Sequence, residues 1–558
     1  MASQFKLPIM YNDSTRKVES NILDNLELST QYKNIYGKTQ NNFNLQNWCL
    51  HFTYDTDFLK DQQLFLNQLM TKNTIKKHKC MESYYDEWKK IMSNESVRET
   101  YYYIDWDHLD FVNYKQNIML GLSIYNLSSP ILTLLTPIIC LLVPFFILKF
   151  IMKTDVTFDV YKEIFFHYTK NNLFGKMIQN IFNPENINQQ VTGFTMCMFY
   201  FMSLYQNTLV CIKFYQNMYF MKSYIQKAKM LFKNTIDCLD CVLSVSQSKQ
   251  SFYAFNQHCV DTKTNIAKIL KLCENINEKD FNVFDIHQIG KYMALFYKLR
   301  YDTNIQQKFQ YSFEFQEYIL NLKHLFEHIK EKKITNCDYT EKSTSLKSSY
   351  YLGHIYDKCI RNTIKIRKNL ILTGPNASGK TTLIKSVMIN LLLSQQIGYG
   401  CYAKNTKIHV YHSFYSYLNI PDTSDRDSLF QAEARRCLNI IESLEKNKQE
   451  RSFLIFDELY SGTNPTEATL SAISFMNYIS HLKVHFMITT HYYDICTSAY
   501  LSKNIKNVHM LTESKNNDFE YKYKIAKGPS FKQGGIAILK HMGYPQAIIN
   551  QIMNMETR

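Results

Sequence analysis

Leu370-Ile371-Leu372-Thr373-Gly374-Pro375-Asn376-Ala377-Ser378-Gly379-Lys380-Thr381-Thr382 is the stretch that decides the fold of this 558-residue chain. Its first four residues read as a buried strand, and the residues after it (LIKSVMINLLLSQQ) carry a helical pattern. Between them the spacing GxxxxGK[ST] is met in the strand, loop, helix order that a phosphate-binding loop needs. The glycines let the backbone turn tightly, so that successive N–H groups and the helix N-terminus face the phosphates, while Lys380 reaches the β- and γ-phosphates. Residues 374–382 are therefore the candidate ATP-binding residues, and the Thr381 hydroxyl is a candidate Mg²⁺ ligand.

Downstream, Phe453-Leu454-Ile455-Phe456 is a second apolar strand that ends in Asp457-Glu458. An acidic pair at a strand end facing a phosphate loop is the Walker B arrangement: Asp457 holds Mg²⁺ and Glu458 orients the attacking water. A third strand, His485 to Thr489, runs into Thr490-His491, where the imidazole is placed to contact the γ-phosphate; taken alone, His491 reads equally as a structural residue.

These motifs resemble those of the MutS family of DNA mismatch-repair ATPases. Thr373 to Lys380, Asp457-Glu458-Leu459-Tyr460-Ser461-Gly462-Thr463 and Thr489-Thr490-His491-Tyr492 are similar, in order and spacing, to its phosphate loop, Walker B segment with the following loop, and histidine switch. Ser428-Leu429-Phe430-Gln431-Ala432-Glu433 resembles the signature segment, from which a serine reaches the ATP of the other subunit. The resemblance makes Ser428 a catalytic candidate beside Glu458 and His491; the alternative is a helix N-cap with a Glu close by. Tyr521 to Ser530 and Gly534 to Pro545 resemble the closing strand and helical end of the family's ATPase domain. What the resemblance implies is ATP hydrolysis to ADP and phosphate with Mg²⁺, a homodimer formed through this domain, and DNA as ligand. The Phe-x-Glu mismatch reader of the family is matched only by the letters Phe315-Gln316-Glu317, inside a helical stretch.

The remainder of the chain is of another character. Lys and Arg number 64 against 49 Asp and Glu, a net charge of +15, which suits an anionic partner without choosing between nucleic acid and lipid. Fourteen cysteines lie at irregular spacings, and the Cys238/Cys241 pair has no second CxxC to complete a zinc site, so free thiols facing the cytosol are expected. From Gln116 to Leu148 there are 33 residues without a charge, and 131–148 (ILTLLTPIICLLVPFFIL) is almost continuously apolar. A straight helix of that length would measure roughly 50 Å against a hydrocarbon core of about 30 Å. A break at Ser128-Ser129-Pro130, with kinks at Pro137 and Pro144, is expected to leave either one span at about 131–150 or a re-entrant hairpin. A second uncharged stretch, Asn186 to Ile212, is a further candidate span. Two spans would leave both flanking regions in the cytosol.

The expected architecture is an α/β P-loop NTPase domain of the ABC/MutS type at 346–558. Ahead of it come an N-terminal helical region (1–115), an uncharged membrane-inserted region (116–215) and a helical core or lever-like region (216–345). The leading functional expectation is a membrane-associated MutS-like ATPase whose domain faces the cytosol and whose dimer drives a clamp or lever on DNA. Two alternatives are a membrane scaffold without mismatch recognition and an ABC-type transporter motor; the second lacks an LSGGQ-type signature and enough spans for a translocation path.

Overall fold

The computed structural model describes the chain except residues 1–2, 39–41, 78–81, 155, 162, 164–175, 177–179, 182–185, 275–285, 357–358, 419–427, 516–517, 531–538, 540–541 and 557–558. The turn signals read at 275–285 and most of the Gly534 to Pro545 match lie outside the described residues. The main helices are α1 (Leu28–Tyr36), α2 (Thr56–Leu69), α3 (Glu82–Ser93), α4 (Gln116–Phe146), α5 (Ile187–Ser246), α6 (Tyr253–Glu274), α7 (Ile286–Tyr301), α8 (Thr303–Lys330), α9 (Lys380–Ile397), α10 (Leu429–Lys446), α11 (Pro465–Ser480) and α12 (Gln546–Glu556). The main strands are β1 (Asn369–Thr373), β2 (Ser413–Tyr417), β3 (Ser452–Asp457), β4 (Val484–Thr489), β5 (Ile505–Lys515) and β6 (Asp518–Lys527).

Two compact units form. The first gathers Met1–Cys80, Thr235–Thr264 and Gln310–Arg558; the second gathers Met81–Asn234 and Asn265–Phe309. These units cut across the four consecutive segments expected from sequence, because the first is assembled from three separated stretches of chain.

In the first unit the six main strands make one sheet in the order β2-β3-β4-β1-β5-β6, parallel except for the β5/β6 pair. Parallel strands covered on both faces read as unbroken apolar runs, which is how β1 and β3 appear in the sequence. The register sets Asp457 beside Thr489 and Thr489 beside Leu372. The carboxyl ends of β3, β4 and β1 therefore lie level, where ligands of open α/β sheets bind. One hydrophobic cluster joins Phe456, Phe486 and Ile488 of the sheet to Phe475, Met476 and Ile479 of α11 and to Cys437 and Ile440 of α10.

Helix α9, which follows the phosphate loop, is buried on every side from Ser386 to Ile397, polar residues included. Most of their polar groups survive burial because they have partners, the Gln396 amide nitrogen excepted. Gln395 donates to the carbonyls of Thr53 (3.0 Å) and Tyr411 (2.8 Å), and Asn390 donates to Tyr350 O (3.1 Å) while accepting from Cys401 N–H (2.7 Å). Tyr32 of α1 donates to Gln396 (2.5 Å), and Gln63 of α2 donates to Gly398 O just past the helix (2.7 Å). The N-terminal segment thus forms an outer wall of the nucleotide-type fold, and Arg16 ties it further by a two-pronged ion pair to Glu450.

The letters Phe315-Gln316-Glu317 lie within α8. Phe315 is buried and stacks edge-on with Phe5 at 5.5 Å, and Glu317 accepts from the Asn44 N–H at 3.2 Å. One turn earlier, Glu314 accepts from the N–H groups of Gln4 and Phe5. This part of α8 anchors the N-terminal segment.

The second unit is helical. An aromatic core of Tyr84, Tyr224, Phe296 and Phe309 is joined by Trp88 donating to Gln306 (2.9 Å). Helix α4 corrects one expectation: it does not break at Ser128-Ser129-Pro130 but continues to Phe146, then widens into a π-helical turn at Ile147–Ile151. Proline removes an N–H and frees the carbonyl four residues earlier, and the Ser129 hydroxyl donates to that group, Asn126 O, at 2.8 Å. By length and composition Gln116–Thr136 is the one helix among the described residues able to cross a membrane, a different position from the expected 131–150.

Candidate functional site

The phosphate loop joins β1 to α9 through Gly379, whose φ of +89° is left-handed and whose position leaves a Cβ only 3.0 Å from the Tyr523 ring. A side chain there would meet both backbone strain and a fixed ring. Lys380 follows with its side chain buried, its ammonium donating to the carbonyls of Gly374 (3.0 Å) and Pro375 (3.2 Å). Burial pushes its pKa down, and the nearby Glu458 and Asp457 carboxylates oppose that shift. A desolvated cation at the foot of a helix N-terminus is suited to phosphate oxygens.

Opposite it, Thr381 donates to one carboxylate oxygen of Asp457 at 2.9 Å, and the Thr489 hydroxyl donates to the other. Glu458 sits just beyond with φ +53°, its N–H shared between the carbonyl and hydroxyl of Thr489. Its carboxylate meets His491 Nε2 at 2.6 Å, and this hydrogen bond is the main cause holding its pKa below the usual carboxylate range. Since Glu458 is ionised it can only accept, so Nε2 carries the proton. The 3.3 Å approach of Lys380 to the same Nε2 is then a close contact of two donors.

Thr381, Lys380, Asp457, Glu458 and His491 are thus drawn together from three sequence segments. Ser428 stands apart: it is exposed and caps α10, accepting from Gln431 N–H at 3.4 Å while Gln431 accepts from Ser428 N–H at 2.9 Å. The reciprocal partner is Gln431 rather than a Glu. One turn on, the buried Glu433 accepts from Ser461 N–H (3.1 Å), the Ser461 hydroxyl (2.9 Å) and Gly462 N–H (3.1 Å). Gly462 lies so close to α10 that a Cβ would come within 2.8 Å of Phe430 N. The loop after Asp457-Glu458 is therefore fastened to the signature segment by a carboxylate.

A pocket of about 580 Å³ opens in front of the phosphate loop. Ala377, Lys380, Thr381 and Glu458 line one side; Tyr350, Tyr351, His354, Ile360 and Tyr523 line the other. The volume suits a ligand of nucleotide size. Sequence reasoning gave no role to Thr489 or to the aromatic wall: Tyr350 and Tyr351 carry no motif, and Tyr523, though inside the Tyr521 to Ser530 match, meets the pocket only through tertiary packing.

The hard oxygens of Thr381 and Asp457, side by side at the phosphate loop, fit Mg²⁺, which takes a few protein oxygens and completes its shell with phosphates and water. Among the described residues there is no group of three or more His, Cys, Asp or Glu able to hold a metal unaided.

A phosphate loop between a central parallel strand and a buried helix, faced by acids at the end of the strand one place beyond its neighbour, defines a P-loop NTPase-type domain. Residues 370–558, the C-terminal third of the chain, match the family described as MutS domain V. Similar proteins include the DNA mismatch repair protein MutS of Persephonella marina, 29% identical over 199 residues (34% of this chain, 22% of that protein). The endonuclease MutS2 of Agathobacter rectalis is 30% identical over 182 residues (33% of this chain, 22% of that protein). The chain spans about a fifth of the length of these relatives.

Proposed function

We propose that the protein binds and hydrolyses ATP with Mg²⁺ and uses the cycle to change the state of a homodimer that acts on DNA at a membrane. The observation that carries the reading is the convergence of Lys380, Thr381, Asp457, Glu458 and His491 at the phosphate-loop pocket. Residues 374–382 receive the phosphates, with Lys380 exchanging its loop carbonyls for β- and γ-phosphate oxygens. Thr381 and Asp457 hold Mg²⁺, which when bound neutralises phosphate charge. His491 exchanges its Glu458 partner for the γ-phosphate, and the released Glu458 carboxylate orients water for in-line attack. Ser428, exposed at the start of α10, is placed to meet the ATP of a second subunit.

DNA as ligand and the dimer are supported by the family to which domain V belongs. Membrane association, with the ATPase domain in the cytosol, is supported by the two uncharged stretches. The MutS relatives are named for mismatch repair; a role in that process is proposed here only as the family's own. A second reading, a nucleotide-gated membrane scaffold that does not bind DNA, is favoured by Phe315 and Glu317 being buried in α8. ATP turnover by the purified full-length chain, with duplex, mismatched and branched DNA, in detergent and in liposomes, separates the two. Stimulation by DNA supports the first reading; turnover indifferent to DNA and changed by lipid supports the scaffold. A Glu458→Gln protein that turns over ATP at the wild-type rate would remove the hydrolytic role given to Glu458.

A further inference from the structure

We propose that α4 and the first half of α5 form a helical hairpin that crosses a lipid bilayer twice, with the second helix supplying the donors that the prolines of the first remove. The proposal rests on the membrane association suggested above and adds the inserted segments, their pairing and their topology. Its observations all lie in the second unit.

The two helices run antiparallel, and their few polar groups meet in the seam between them. Asn207 donates to the Thr133 hydroxyl at 2.7 Å, in the middle of the pair. Pro130 has no N–H for the carbonyl of Asn126, and the Cys211 thiol approaches that oxygen at 3.7 Å, alongside the Ser129 hydroxyl. Pro137 has none for the carbonyl of Thr133, and the Tyr200 hydroxyl donates to that oxygen at 3.2 Å. In water these carbonyls would be hydrated and would need no such partners. In hydrocarbon each orphaned group costs several kcal/mol, and proline is accepted in a spanning helix where a neighbouring helix restores the lost bond.

The outward faces are the reverse of a soluble protein's. Tyr125, Ile131 and Leu134 on α4 are 67%, 59% and 55% exposed, and Met198 and Phe199 on α5 are 74% and 67% exposed. Gln116–Thr136, the one stretch among the described residues apolar enough to pass as a span unaided, overlaps the first leg and has only 11% of its apolar window buried, unlike a core helix. Met119 and Ser123 on α4 and Phe214 and Met218 on α5 are buried, which bounds the two legs at 124–148 and 187–212; within the first, Phe145 is buried near the far end. Each is about 38 Å long at 1.5 Å per residue, enough for a hydrocarbon core of about 30 Å with some interface. Neither leg contains a charged residue, and Lys149, Lys153 and Lys213 stand at their ends. Asn, Gln and Tyr lower the mean hydropathy of the second leg, and those that face the seam are hydrogen-bonded there. The antiparallel pairing puts Lys115 and Lys213 on one side of the bilayer and Lys153 on the other.

The test is made on full-length protein reconstituted into sealed phosphatidylcholine vesicles with phosphatidylserine. Vesicles with the ATPase domain outside are treated with trypsin, and cleavage at Lys153 and Lys213 is read by mass spectrometry. The expected result is cleavage at Lys213 without detergent, at Lys153 only after detergent, and retention of the protein on the vesicles in alkaline carbonate. Cleavage at Lys153 in sealed vesicles, or removal by carbonate, overturns the hairpin, as does burial of the two legs by a second copy in detergent-free solution. An Asn207→Leu, Tyr200→Phe double variant is expected to insert but lose helix pairing, read as loss of a disulfide between Cys211 and a cysteine introduced by Asn126→Cys, the position whose carbonyl the Cys211 thiol approaches in the seam; unchanged crosslinking rejects the seam. ATP turnover in the same vesicles is read separately, so failure of the hairpin and failure of the hydrolytic reading give different results.

Discussion

Replacing Glu433 by Gln tests whether the loop after Asp457-Glu458 is held in place by one buried carboxylate. Glu458 and Tyr460 both adopt left-handed backbone, with φ of +53° and +59°, a conformation that costs non-glycine residues about 1 kcal/mol or more each and persists only when the surroundings impose it. Glu433 imposes it through three accepted hydrogen bonds, to Ser461 N–H, Ser461 Oγ and Gly462 N–H. Gln keeps the shape and one oxygen, which can still serve Ser461, but it sets an NH₂ against the Gly462 N–H. Losing a charge-assisted bond and leaving that donor unpaired should weaken the loop by about 2 kcal/mol. Native-state hydrogen exchange at Ser461 and Gly462 should then accelerate roughly 30-fold, since 1.4 kcal/mol is a factor of ten. ATP turnover should fall while nucleotide binding, which depends on residues 374–382, stays close to wild type. Exchange at both amides equal to wild type would refute the fastening role, and so would an effect spread evenly over the whole domain.

Lys380→Ala should abolish nucleotide binding or turnover, measured by equilibrium binding of a fluorescent ATP analogue and by phosphate release. Ser428→Ala should lose a helix cap worth about 1 kcal/mol, seen in the urea midpoint; if the hydroxyl also acts across a dimer, turnover falls further than in a Gln431→Ala control that disturbs the same cap. Burial pushes His485 from its usual 6.5 down to about 4, so on acidification the unfolded chain takes up the proton first. Stability should fall from about pH 6.5 to about pH 4 by up to about 3 kcal/mol, and His485→Gln should flatten that slope; an unchanged slope would show that another group causes it. Any DNA affinity should drop steeply with salt as phosphates are neutralised, and a flat response over a titration from low to physiological salt would favour the scaffold reading.

The nucleotide-type domain was legible because its determinants are local and ordered. Strand, loop and helix follow one another at 370–397, and the acids close a later parallel strand of the same sheet. The candidates Lys380, Thr381, Asp457, Glu458 and His491 could therefore be named without coordinates, and the fold brings them together. Ser428 was read from resemblance, and its capping partner proved to be Gln431. The aromatic wall of the pocket could not be read, since Tyr350 and Tyr351 carry no motif and the Tyr521 to Ser530 match says nothing of where the Tyr523 ring packs. The helix break expected at Pro130 did not occur, because side-chain hydroxyls and a second helix replace the bonds proline removes, and no rule about one segment contains that information.

By itself the sequence marked the candidate phosphate loop, the acids that end a strand, and the stretches that carry no charge. Those follow from short spacings that fix backbone geometry or solvent preference within one segment. The tertiary structure decided what closes around them. Strand register brings Asp457 level with Thr489 and β1, the N-terminal segment walls in α9 by donating to its Gln and Gly carbonyl groups, and Glu433 holds a strained loop across an interval of sequence. Such contacts join residues tens to hundreds of positions apart, and no spacing rule reaches that far.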